Sequence, residues 1–105
     1  YCTKIASKLV RTYTDKHGYK DLCSELLGKS ISKSEQSSDW GGDLTKEQQK
    51  YAATDVLYLH KIKDKLDKML LREKRTKLAK ACFDFIQYRT DLDINGWSEQ
   101  DIFKH

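Results

Sequence analysis

The organisation of this chain follows from one stretch, residues 34–59, which reads SEQSSDWGGDLTKEQQKYAATDVLYL. Within it, Tyr51 and Asp55 are four residues apart, so an α-helix would place both side chains on one face, about one turn apart. A carboxylate can hold a hard divalent cation, and a phenol can hydrogen-bond a water on that cation. The pair alone is a weak signal, because many surface helices carry Tyr and Asp at this spacing by chance.

The second half of the stretch predicts the start of a long helix. Thr45 and Gln48 have the spacing of a capping box, and Glu47 in the first turn suits the helix dipole. Apolar residues then recur at steps of three or four, which predicts a buried stripe of Ala52, Val56, Leu59, Ile62, Leu66 and Met69 or Leu70. Tyr51 and Asp55 would lie at the edge of that stripe, where residues that line a cleft are expected.

The remaining segments also predict helices, and none shows a convincing strand pattern, so the chain as given is predicted to be mainly α. Helices are expected from Thr3 to about Thr12, from about Tyr19 to Leu27, from Leu78 to about Tyr88, and from Ser98 through Phe103. Residues 29–43 read as a loop rich in Ser and Lys, and residues 72–77 as a helix junction. His17 is expected to be a loop histidine without a partner.

Composition excludes several classes of protein. Three widely spaced cysteines without a Cys-x-x-Cys pattern support neither a zinc site nor a disulfide framework, and favour free thiols in a reducing cytoplasm. The longest apolar run, residues 56–59, is far shorter than the ~20 residues of a membrane span. No metalloprotease, P-loop or serine hydrolase motif occurs. The first residue is Tyr1, so the chain is expected to be processed, trimmed or a fragment.

Charge is distributed in blocks along the chain. The net charge is +4, but residues 61–80 alone carry nine Lys or Arg and three Asp or Glu, whereas residues 34–60 carry two and five. The acidic block contains the Tyr51–Asp55 pair and suits a cation. The basic block suits a phosphate backbone, although a Lys-rich helix can equally be an ordinary solvated face.

Residues 38–59 as a set are more specific than the Tyr–Asp pair. The set consists of Ser38-Asp39-Trp40, Leu44, Gln48, Tyr51-Ala52-Ala53, Asp55-Val56 and Tyr58-Leu59. It resembles the third exonuclease motif of ribonuclease D. That family is the tyrosine-bearing branch of the DEDD-type 3′–5′ exonucleases. The flanks are also similar, from Cys2-Thr3-Lys4-Ile5-Ala6-Ser7 through Gly18–Leu22 to a tail like that of the short, single-domain bacterial form.

The resemblance implies a fold and a reaction. Residues 1–105 would be the C-terminal helical portion of a ribonuclease H-like α/β domain, with the N-terminal sheet and the first two exonuclease motifs absent. The family uses Mg²⁺ or Mn²⁺, two ions between four carboxylates, to release nucleotides from the 3′ ends of single-stranded RNA. Asp55 would be a metal ligand and Tyr51 the catalytic tyrosine that orients the attacking water. Lys33, Trp40 and Gln48 would contact the substrate.

Three interpretations therefore stay open. The chain contains no Asp-x-Glu, so a separately encoded N-terminal half, or self-association, would have to complete the site. Alternatively, the chain is a non-catalytic basic helical module that binds RNA, or a degenerate remnant. Trp40 likewise has two interpretations: an anchor that holds its loop on the core, which is favoured, or a stacking surface for a base.

Overall fold

The computed structural model describes residues 1–31, 41–42 and 45–105, and the helices in those ranges account for most of the chain. Their bounds are α1 Thr3–Val10, α2 Tyr19–Leu22, α3 Lys46–Arg72 and α4 Thr76–Leu92. Two π-helical turns, Cys23–Leu27 and Asp93–Trp97, directly continue α2 and α4. No β-strand occurs in the described ranges, which confirms the prediction of a mainly α chain.

The central helix α3 begins where the capping box predicts. The hydroxyl of Thr45 accepts a 3.0 Å hydrogen bond from the backbone N–H of Gln48, and the Gln48 side-chain oxygen accepts one of 3.0 Å from the Thr45 N–H. Two backbone donors that the helix cannot satisfy internally are thereby paired. From this start α3 runs for 27 residues, which is about 40 Å at 1.5 Å per residue.

The helix ends at the predicted junction. Lys74 has a φ of 57°, in the left-handed region, and this residue interrupts the helical backbone between α3 and α4. Arg75 then donates a 2.6 Å hydrogen bond to the backbone carbonyl of Leu9, which ties the junction to the end of α1. Gly28 ends the first π-helical turn with a φ of 66°, as its position after the second predicted helix indicates.

The core lies where α1, α2 and the first π-helical turn pack against the second half of α3. Its fully buried apolar residues are Ala6, Val10, Leu22, Cys23, Ile62, Leu66, Leu70 and Ala79. The predicted stripe is wrong in its first half, because Val56 is 55% exposed and Leu59 is 42% exposed. Spacing indicates an apolar face, but the partners for that face reach only the second half of α3.

The C-terminal residues differ from the prediction. Residues 98–103 form turns and no helix, and Ser98 does not cap one. Instead the Asp101 carboxylate accepts a 2.9 Å hydrogen bond from the N–H of Phe103, a local bond that competes with helical pairing. On α4, Ala79 is the one fully buried residue, while Phe85 and Ile86 stay exposed.

An elongated shape accompanies these exposed apolar residues. The Cα radius of gyration is 16.6 Å, against about 13 Å for a compact chain of 100 residues. The small core and the exposed apolar faces agree with helices that cover one side of a larger domain. Among the described residues, no helix is both long and apolar enough to cross a membrane.

Candidate active site

Tyr51 and Asp55 lie on the first half of α3, on the same face and one turn apart. The cap at Thr45 fixes where the helix begins, and therefore which way its first two turns face. Both side chains are half-buried. Their half-burial agrees with the predicted position at the edge of a buried surface, while the lining of a cleft by this pair stays a prediction.

Asp55 has a partner that the sequence did not indicate. The phenol of Tyr19 donates a 2.6 Å hydrogen bond to Oδ1 of Asp55, across 36 residues of chain. Tyr19 is the first residue of α2 and packs against the core cluster. The bond therefore connects the start of α2 to the first half of α3 at the carboxylate of greatest chemical interest.

Burial and the Asp55 charge keep the groups around this carboxylate neutral. Burial raises the pKa of Tyr19 above its ordinary value of 10, and donation to Asp55 raises it further. Burial also raises the pKa of the Cys23 thiol, and the nearby negative charge of Asp55 acts in the same direction. At neutral pH the carboxylate thus faces a phenol that keeps its proton and donates a hydrogen bond, and a thiol that carries no charge.

The other predicted site residues are placed less directly. Gln48 is buried, and its side-chain oxygen is engaged in the capping box at Thr45. A capping role is therefore established for this side chain, while substrate contact remains a prediction. Lys33 and Trp40 lie outside the described residues, as does most of the predicted loop.

A second polar cluster is buried beneath α1. His17 is not an unpaired loop histidine, because its Nδ1 lies 2.8 Å from the Ser7 hydroxyl and the residue is buried. Arg11, also buried, donates to Ser7 at 2.9 Å and to the carbonyl of Lys16 at 2.6 Å, and forms an ion pair with Glu25. The exposed phenol of Tyr13 also donates to Glu25. Every bond of this cluster joins α1, the following turn and the first π-helical turn, so its role is to hold these elements together.

Lysines line an open groove further along α3. Lys61, Lys65 and Lys68 project on one side of the helix and face Leu26 and Leu27 of the first π-helical turn across a volume of about 510 Å³. Asp64 and the Arg11-bound Glu25 lie in the same lining and offset part of the positive charge. The groove is suited to contact phosphate groups, though less strongly than the charge of residues 61–80 indicates.

The donor set around Asp55 fits part of a divalent-cation site. A carboxylate oxygen is a ligand that Mg²⁺ and Mn²⁺ accept readily. In the described ranges, no group of three or more His, Cys, Asp or Glu side chains lies close enough to hold a metal. Asp55 therefore fits as one ligand of such a site, and the remaining ligands would have to come from other segments.

Most of the chain matches a known protein family. A sequence model of the 3′–5′ exonuclease family matches residues 1–71, which include α1, α2 and the Tyr51–Asp55 pair. The chain belongs to the 3′–5′ exonuclease family.

Individual relatives of this exonuclease chain agree with the assignment. Ribonuclease D of Acidiphilium cryptum is 35% identical over 100 residues, which are 90% of this chain and 25% of that protein. DNA polymerase I of Aquifex aeolicus is 42% identical over 114 residues, covering 90% of this chain and 20% of that protein. The resemblance to ribonuclease D that the motif predicts is confirmed.

Solved structures show how much of a nuclease the chain represents. A structure described as the apo form of the nuclease matches with 55% identity and a TM-score of 0.81 over 100% of this chain and 51% of its own. Brucella melitensis NrnC with bound Mg²⁺ matches with 57% identity and a TM-score of 0.79, again over 100% and 51%. The exonuclease chain thus matches the known fold in part, and spans about half the length of these structures.

Proposed function

We propose that this chain is part of a metal-dependent 3′–5′ exoribonuclease that removes nucleotides from the 3′ ends of single-stranded RNA. The observation that carries the proposal is the Tyr51–Asp55 pair, on one face of α3 within the segment that matches the exonuclease family. That family depends in general on divalent metal ions. Relatives named ribonuclease D, and a Brucella melitensis NrnC solved with pGG bound, support RNA as the substrate class.

Each side chain of the pair has one role in this proposal. Asp55 is a ligand for Mg²⁺ or Mn²⁺, through a hard oxygen donor held at a half-buried position. Tyr51, one turn earlier, orients the attacking water by a hydrogen bond from its hydroxyl. When bound, the metal ions supply charge neutralisation at the attacking and leaving oxygens.

The proposal also includes the extent of the domain. We assign residues 1–105 to the C-terminal part of the exonuclease domain, so that the carboxylates missing here come from an N-terminal half or from self-association. The Lys61–Lys68 groove is suited to hold phosphates of the RNA beyond its 3′ end. The free thiols Cys2, Cys23 and Cys82 support a cytoplasmic location.

A second candidate function is RNA binding without cleavage. The same groove and the net charge of +4 support it, because backbone phosphates need only lysines. Such a module would bind RNA without added metal, and its affinity would fall steeply with salt.

The deciding experiment is a digestion of 3′-labelled single-stranded RNA, and of pGG, by the complete exonuclease domain, which is this chain together with the part that supplies the missing carboxylates and is called the full-length protein below. We expect Mn²⁺-dependent loss of the terminal nucleotide that Asp55→Asn abolishes and that Asp84→Asn, on the exposed side of α4, leaves intact. Unchanged cleavage in Asp55→Asn would contradict the proposed site. Salt-sensitive RNA binding, with no cleavage by the unmodified protein at any metal concentration, would favour the binding module instead.

A further inference from the structure

The hydrogen bond from Tyr19 to Asp55 is short, and its donor is held in place by packing, so it can fix the orientation of the carboxylate. At 2.6 Å it falls in the 2.5–2.7 Å range of O–H···O⁻ bonds, which are about twice as strong as bonds between neutral groups. The ring of Tyr19 packs against the core cluster, so the hydroxyl is presented from a fixed base. A flexible surface tyrosine would not hold a partner in this way.

This hydrogen bond restricts the rotation of the Asp55 carboxylate about its terminal side-chain torsion. The terminal torsion of an aspartate side chain has a broad energy well, so a carboxylate without contacts samples many orientations. A carboxylate has about four lone-pair positions on its two oxygens, and Tyr19 uses one of them at Oδ1. Lone pairs remain for a cation, while the orientation of the group is restricted.

We propose that Tyr19 is a positioning residue for the metal-binding carboxylate, holding Asp55 through its O–H···Oδ1 hydrogen bond in an orientation that favours binding of a divalent cation. The proposal rests on the proposed function, because it assumes that Asp55 is a metal ligand. It extends that function to a residue on another helix, 36 positions away in the sequence.

Partners of metal ligands act in this way generally. A group that hydrogen-bonds a ligating side chain fixes its orientation, and loss of such a partner typically costs 10–100-fold in metal affinity or activity. Tyr19 suits the role because its phenol donates a hydrogen bond to Asp55 without placing a positive charge beside it. A cationic partner at the same place would neutralise the carboxylate and weaken its attraction for the metal.

The opposite arrangement is also physically reasonable and predicts the opposite result. If the phenol had to leave Asp55 before the cation could bind, Tyr19 would compete with the metal, and removal of its hydroxyl would tighten binding. The sign of the change in metal affinity therefore decides between support and competition.

The test is Mn²⁺ binding to the full-length protein, measured from the electron paramagnetic resonance signal of free Mn²⁺. The variants are Tyr19→Phe, which removes one oxygen and keeps the packed ring, and Tyr13→Phe, a matched control. The phenol of Tyr13 also donates a hydrogen bond to a carboxylate, but this carboxylate is Glu25, which belongs to the cluster beneath α1. We expect Tyr19→Phe to raise the Mn²⁺ Kd by about tenfold or more, and Tyr13→Phe to leave it unchanged.

A purely structural role for Tyr19 would give a different outcome. It would lower the melting temperature and leave the Kd of the folded protein as it was, and that result would overturn the proposal, as would tighter Mn²⁺ binding. Incorporation of 3-fluorotyrosine at position 19 is a second variant, in case Tyr19→Phe folds poorly. It keeps the donor, so we expect wild-type affinity, and a large loss of affinity would contradict the proposal.

Asp55→Asn separates this proposal from the one on which it rests. If Asp55→Asn binds Mn²⁺ as the wild type does, Asp55 is no ligand and the proposed function fails. If Asp55→Asn loses Mn²⁺ while Tyr19→Phe keeps it, the metal site stands and the positioning role of Tyr19 is refuted.

Discussion

The phenol of Tyr19 donates a 2.6 Å hydrogen bond to the carboxylate of Asp55, and through it the start of α2 contacts the first half of α3. Asp55 belongs to the segment that matches the 3′–5′ exonuclease family. The core that holds Tyr19 in place lies under the second half of α3. Packing against the second half of α3 therefore holds Tyr19 in place, and Tyr19 in turn contacts Asp55 on the first half of the same helix.

The capping box at the start of α3 supplies the first prediction. Thr45→Ala should lower the free energy of unfolding by about 1 kcal/mol, because the N–H of Gln48 loses its acceptor. Hydrogen exchange of the first turns of α3, which carry Tyr51, should become faster. Urea denaturation and amide exchange of the full-length protein measure the two effects.

Thr54→Ala is the matched control for this prediction. The hydroxyl of Thr54 donates to the carbonyl of Lys50 within the same helix, on an exposed surface, so it caps nothing. Its removal should change the free energy of unfolding by less than about 0.5 kcal/mol. Equal losses in the two variants would mean that the cap does not determine the stability of the helix start.

Local sequence signals predict the fold well where the interaction is itself local. The capping box at Thr45 and the left-handed end at Gly28 depend on residues within a few positions of each other, and both occur as expected. Burial on a long helix depends instead on what packs against it. Spacing therefore predicts Ile62 and Leu66 correctly, yet places Val56 and Leu59 in a core that does not reach them.

The candidate site divides in the same way. Tyr51 and Asp55 are predicted from a helical spacing of four within a family motif, and the structure places both on α3, while their roles stay a prediction. Tyr19 could not be found, because no local pattern connects a residue at the start of one helix with a carboxylate 36 residues later. The prediction that His17 has no partner is wrong for the same reason, since Ser7 lies ten residues earlier on the preceding helix.

The ion pair between Arg11 and Glu25 predicts a dependence of stability on pH. The hydrogen bond from the buried Arg11 holds the pKa of the Glu25 carboxyl below its ordinary value of 4.5, and the bond from Tyr13 adds to this. A depressed carboxyl pKa contributes stability above the ordinary value, and the contribution is lost as the pH falls through the lower, folded pKa. Because the Glu25 side chain is 40% exposed and solvent screens the pair, Glu25→Gln should cost no more than about 1 kcal/mol at pH 7.

The difference between wild type and Glu25→Gln should shrink progressively as the pH falls from 4.5, where the carboxyl of the unfolded chain binds a proton, through the lower pKa of the folded state. Guanidinium chloride is a salt and would screen the ion pair between Arg11 and Glu25. Urea denaturation at several pH values is therefore the suitable measurement. Glu99→Gln, at an exposed position near the C-terminus, is the control and should match the wild type throughout. A difference that stays constant down to pH 3 would show that packing, and not charge, is responsible.

The proposed roles of Tyr51 and Asp55 predict that their substitutions separate catalysis from metal binding. Tyr51→Phe removes the hydroxyl that orients the water, so kcat should fall by about 10²-fold while the Mn²⁺ Kd is retained. Asp55→Asn should lose both. Tyr88→Phe, an exposed tyrosine on α4, is the control. Loss of Mn²⁺ affinity in Tyr51→Phe would contradict the division of roles.

The exposed first half of α3 leads to the last prediction. Val56 and Leu59 are large apolar residues that nothing in the described chain covers, which is expected if another segment of the domain packs there. The 105-residue chain alone should bind the dye ANS and should self-associate with rising concentration in sedimentation. Replacing both residues by Asn should reduce both effects.

In the full-length protein the same pair of substitutions, at Val56 and Leu59, should lower the free energy of unfolding by about 2–4 kcal/mol, because two buried side chains are lost. Leu71→Asn, at a position 72% exposed, should change little in either context. If the isolated chain is a sharply melting monomer that ignores ANS, the assignment of residues 1–105 to part of a larger domain is wrong.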